Sequence, residues 1–188
     1  MIDPHAKLMS YLRLLALVVI LGAVSAVITF IFITFVNKIT SLIWDQAPFA
    51  IGMNPRLFTF IVCVVGGLLV GLLVKLFGDH NAIFSELMQE FGKSGRFDYH
   101  HAPGIVVTSF VSLISGAALG PEAALADACG GLGTYTADKL KLNEQETRTA
   151  SFGGLSAMLA AFITNPFGGA LLSLESAQGG VTGAMLYF

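Results

Sequence analysis

Residues 8–36 are apolar apart from Ser10, Arg13, Ser25 and the threonines. A run of that length exceeds the roughly 20 residues a helix needs to cross about 30 Å of hydrocarbon, so it fits a tilted span. A signal peptide has a shorter apolar core and a small-residue cleavage site, so the segment is expected to stay in the mature chain as a transmembrane helix. Once one segment lies in lipid, every backbone N–H and C=O there must be satisfied internally, which leaves helices or a closed barrel. The sequence as a whole is 55% hydrophobic, 12% charged and rich in glycine, with 21 residues of that type. That composition favours a membrane protein over an ordinary soluble domain. The net charge of −2 and scattered basic residues give no footprint for nucleic acid. Cys63 and Cys129 lie in apolar helical runs and share no ligand spacing with the histidines. They read as small buried hydrophobes, with no metal and no cofactor expected.

Several helical segments follow, some of them broken. Residues 37–56 read as an interfacial connection in which Trp44 and Phe49 suit the headgroup boundary and Asn54-Pro55 starts a helix. Residues 57–77 form a second span with a Gly66-Gly67-x-x-x-Gly71 face for close helix packing. The basic residues around these spans favour a cytoplasmic N-terminus. Ile83, Phe84, Leu87, Met88 and Phe91 fall on one face of a short amphipathic helix. Residues 105–119 are too short for a straight perpendicular crossing, and short segments broken by glycine and proline mark discontinuous helices that meet near the midplane. Helices are expected over 121–140, 147–164 and 166–177, the last broken by Gly179-Gly180. His100 and His101 read as interfacial, since no ligand spacing supports a metal.

The centre of the chain is Gly116-Ala117-Ala118-Leu119-Gly120-Pro121-Glu122-Ala123, followed by Gly130-Gly131-Leu132-Gly133. Glycine lets the backbone turn sharply, and proline is tolerated at the first helical position, so a helix is expected from Pro121. Inside a bilayer, the free N–H groups and positive dipole end of such a helix favour an anion. Leu119-Gly120-Pro121-Glu122 with the glycines that follow resembles the CLC chloride channel and chloride/proton exchanger family, whose signature is Gly-Lys/Arg-Glu-Gly-Pro ahead of a helix with paired glycines. A second match runs through Ser151-Phe152-Gly153-Gly154 to Asn165-Pro166-Phe167-Gly168-Gly169 and Leu174-Glu175, and resembles the family's small-residue helix, Asn-x-Pro-x-x-Gly turn and glutamate-ended helix. The resemblance covers about residues 55–180.

The resemblance implies an all-α, polytopic integral membrane protein, residues 1–188 forming one transmembrane domain that corresponds to the first inverted repeat of a CLC-type subunit. It also implies chloride or a similar small anion as substrate, lipid as surroundings, a homodimer in the longer parent protein, and a bacterial-type cell membrane. Leu119, Gly120, Glu122 and Ala123 then form the anion-binding stretch. Glu122 has two readings: a gate that occupies the anion's place until protonated or displaced, or a carboxylate that complements the dipole in the first helical turn. In the family motif the gating glutamate aligns with Leu119 and the basic residue with Ala118, so Glu122 substitutes for the gate only as a hypothesis. The family's first anion loop, Gly-Ser-Gly-Ile-Pro, aligns with Gly78-Asp79-His80-Asn81-Ala82-Ile83, where His80 and Asn81 offer donors, Asp79 repels, and a solvated loop is the simpler account. Glu175 aligns with a structural glutamate and Ser176 with the proton-transfer one. Channel or uncoupled transport is therefore expected over proton-coupled exchange. The rivals are a proton or cation carrier using Glu122, Asp127 and Glu175, and an assembly module without transport. An enzyme is not expected, because no nucleophile–base or metal constellation can be named.

Overall fold

The computed structural model describes the backbone of residues 4–78, 83–118 and 120–185, and the side chains of 8–78, 83–118 and 120–175. Its elements are α1 (Pro4–Ser41), a π-helical segment (Leu42–Gln46), α2 (Ala47–Ile51), α3 (Pro55–Phe77), α4 (Phe84–Ser94), α5 (Ala102–Ile114), α6 (Glu122–Leu140), α7 (Glu144–Ile163) and α8 (Pro166–Met185). No strand occurs among the described residues.

The first helix shows why this sequence is built for lipid. Leu21, Ser25, Thr29 and Phe32 recur at helical spacing and form its buried stripe. Thr29 Oγ1 satisfies itself on the Ser25 carbonyl at 2.8 Å. On the opposite side Phe30 is 71% exposed while Ser25 and Thr29 are fully buried. Large apolar side chains outside and small hydroxyls inside invert the order expected in water, and suit surroundings as apolar as leucine. The stretches Leu8–Ile51 and Pro55–Phe77 are both long and apolar enough to cross a bilayer, and only 17% and 11% of their most apolar windows are buried. Neither is the sequestered core helix of a water-soluble domain.

The interhelical core is made by small residues and one aromatic stack. α7 packs against α6, α1 and α8. A Cβ on Gly133 would strike the backbone of Ala150 and Ser151, one on Gly154 the carbonyl of Cys129, and one on Gly169 the backbone of Ala160. At these contacts hydrogen in place of a side chain is what lets the backbones approach. Across the same interface Thr134 Oγ1 meets Ser151 Oγ at 2.8 Å and accepts the Phe97 N–H at 3.0 Å, tying α6 to α7 and to the segment before α5. Phe91 stacks on Phe97 at 4.7 Å between ring centres, beside Met88, Leu125 and Met158.

Several expectations are corrected. Residues 37–51 do not form a loose interfacial connection: helix continues to Ile51, passing through the π turn. Helix also continues through Gly179 and Gly180; where no water competes for backbone groups, glycine has less cause to end a helix. Of the glycine face on α3 only Gly66 is used among the described residues, because a Cβ on Gly67 or Gly71 would meet none of them within 4 Å. Cys63 is exposed on α3 and only Cys129 is buried. The amphipathic helix forms as expected, burying Met88 and Phe91, but Ile83 is its exposed cap residue.

Candidate functional site

The turn between α5 and α6 is held by elements distant in sequence. α5 contains 13 residues, so it is about 20 Å long and stops short of a full crossing. Its beginning lies against the end of α3, where a Cβ on Gly104 would meet the Phe77 side chain. Its end lies against the middle of α3, where the Ser115 side chain fills the space beside Gly66, the midpoint of Pro55–Phe77. The residues after Ser115 therefore sit halfway along a helix with the length and composition of a membrane span.

Every carbonyl that α5 would leave orphaned at its C-terminus is occupied. Val111 O accepts from Ser115 N at 3.1 Å and from Ser115 Oγ at 2.7 Å. Ser112 O accepts from Ala117 N and Leu113 O from Gly116 N, both at 3.1 Å, the paired bonds of a Schellman closure. Gly116 takes φ of 96°, which that closure favours for glycine. Ile114 O accepts from Trp44 Nε1 at 3.0 Å. Trp44 also leaves no room for a side chain on Gly116 and meets Phe58 edge-on. Expected at the headgroup boundary, this ring instead closes the end of α5.

The start of α6 is the opposite case. Pro121 is the cap residue (φ −79°, ψ 3°) and no side chain caps this end, whereas α3 and α7 carry asparagine caps. Helical residues begin at Glu122, one later than the sequence predicted. The first intrahelical bond to reach back is Leu125 N to Pro121 O at 2.9 Å. The N–H groups of Glu122, Ala123 and Ala124 thus precede the ladder and have no intrahelical acceptor. The Glu122 carboxylate folds back over Gly120, so closely that a Cβ there would overlap its oxygens. The Glu122 side chain, in the first turn of α6, therefore turns back along the chain towards the residue before Pro121.

Of the predicted stretch, Gly120, Glu122 and Ala123 come together at this helix start, while Leu119 lies outside the described residues, as does the first anion loop of Asp79, His80 and Asn81. Asp127 is 5% exposed in the packed middle of α6. Glu175 is exposed and makes no ion pair among the described residues. Nor do the described residues contain a metal-ligating cluster of His, Cys, Asp and Glu. His100 and His101 are exposed, with His101 Nε2 3.7 Å from Asp98. Nothing in the sequence marked Ser115, and Gly66 and Trp44 were singled out without their partners, because these contacts join positions too far apart for any local pattern to show.

No curated protein and no solved structure matches the chain. The family model described as voltage gated chloride channel matches residues 66–186, a range that holds the α5–α6 turn, the small-residue interface and the capped start of α8. Since that match covers well over half of the sequence, the chain belongs to the voltage gated chloride channel family, integral membrane proteins that carry anions.

Proposed function

We propose that this chain conducts chloride or a similar small anion past the α5–α6 turn, without obligatory proton exchange. The observation that carries this reading is the imbalance at the turn: the terminal carbonyls of α5 are all occupied, and the first amides of α6 have no side-chain cap. Those amides and the dipole of α6 make a local positive potential, for which the Glu122 carboxylate is the neighbouring acceptor. Its place beside the midpoint of α3 favours a low-dielectric setting, where such a potential is strongest. Glu122 acts as the gate: ionised, its carboxylate lies over Gly120 and competes with the anion; protonated or displaced, it yields the place. The proton-coupled alternative is disfavoured because Leu119 and Ser176 stand where the family's exchangers use glutamates. In this reading the repeat is completed by a second half, from a longer chain or a second copy.

Flux from proteoliposomes tests the proposal. Chloride-selective reversal potentials and an altered pH dependence in Glu122→Gln are expected. A cation-selective reversal potential would overturn anion passage, and an unchanged pH profile in the variant would remove Glu122 from the gate.

A further inference from the structure

A groove of about 530 Å³ opens between the N-terminal part of α1 and the connection from α6 to α7. That volume lies within the ordinary range of small-molecule sites. Its polarity is graded along α1. Arg13 stands at one end, Leu17 lies about one turn further on and Ile20 about two, so the apolar floor extends roughly 10 Å from the charge. Leu140 and Leu142 form the facing wall.

Polar residues flank the facing side of the groove. α6 finishes there with exposed Lys139 and Lys141, and α7 begins there on its asparagine cap. Arg13 is exposed and makes no ion pair among the described residues. Glu146 also borders the groove, but its Oε2 accepts the Asn143 N–H at 3.1 Å in the capping box and is held to that task. A guanidinium, suited to bidentate pairing with a phosphate, thus sits at the mouth of an apolar channel.

We propose that the groove holds an acyl chain of an anionic phospholipid whose phosphate pairs with Arg13. Charge complementarity selects this occupant: a hydrocarbon tail matches the floor, and an anionic head matches Arg13, the one cation lining the groove among the described residues. A second copy of the chain would have to bury Arg13 opposite an acidic group at the same depth. The inference rests on the membrane placement given above but not on anion flux.

Native mass spectrometry of the intact protein in mild detergent reads the outcome directly. It would be titrated with phosphatidylglycerol and with phosphatidylcholine of the same acyl chains. Saturable binding that favours phosphatidylglycerol is expected, and Arg13→Gln is expected to weaken it about fivefold. Leu17→Trp, which fills the floor, is expected to weaken both lipids. Unchanged phosphatidylglycerol binding in Arg13→Gln would overturn the proposal, as would the absence of saturable lipid binding to the unaltered protein. Flux does not enter the readout, so a negative result leaves the anion reading standing.

Discussion

Ser115, the residue closing α5, packs its side chain against Gly66 at the midpoint of α3. This contact fixes how far into the bundle α5 reaches and hence where α6 starts. A Cβ on Gly66 would overlap both heavy atoms of the Ser115 side chain. Gly66→Val is therefore expected to destabilise the protein by about 1–3 kcal/mol through overpacking, with reduced anion flux as the turn is displaced. Denaturation in detergent and proteoliposome flux measure the two effects.

Glycines with identical local sequence character are expected to differ by their surroundings. Gly154→Ala drives a methyl group into the Cys129 carbonyl, which is backbone and cannot swing away. A loss of about 1–3 kcal/mol is expected. Gly71→Ala meets nothing within 4 Å and should be neutral or stabilising by up to about 1 kcal/mol, the helix-propensity gain. Thermal unfolding of the two variants side by side is decisive, and equal shifts would contradict the packing described.

Thr134 is the polar junction of α6, α7 and the Phe97 segment. Thr134→Val leaves the buried Phe97 N–H and Ser151 hydroxyl short of a partner, at an expected cost of about 1–3 kcal/mol. Ser151→Ala alone should cost less, because Thr134 keeps the Phe97 bond and its own weaker bond to Gly130 O at 3.4 Å. A double-mutant cycle by chemical denaturation should return a coupling of at least about 0.5 kcal/mol.

Removing the indole donor tests the charge balance at the turn. Trp44→Phe keeps an aromatic ring beside Gly116 but frees Ile114 O, restoring an acceptor where the native turn presents donors. Stability is expected to fall by about 1 kcal/mol. Anion flux should fall by more than this small loss of folded protein explains, as measured per folded molecule in proteoliposomes.

The sequence carried the helical character, the two long apolar spans and the amphipathic α4, because each depends on the spacing of residues close in the chain. It also carried the start of α6 to within one residue, through Gly120-Pro121, but placed the start of α7 at 147, three residues late, because Glu144-Gln145-Glu146 read as a polar turn although Asn143 and Glu146 form a capping box. Trp44 was misplaced because tryptophan suits an interface and an aromatic packing site equally, and nothing near it signals a partner 70 residues away. The unused Gly67 and Gly71 show the same limit: a glycine strip states that a helix can be approached, not by what.

The sequence contains a single tryptophan, and the indole of that residue touches the turn proposed to bind the anion. Intrinsic fluorescence is consequently a built-in optical reporter of this one location, free of background from any other indole in the chain. A collisional quencher such as iodide, itself halide-sized, would distinguish an open vestibule from a sealed one without a label being introduced.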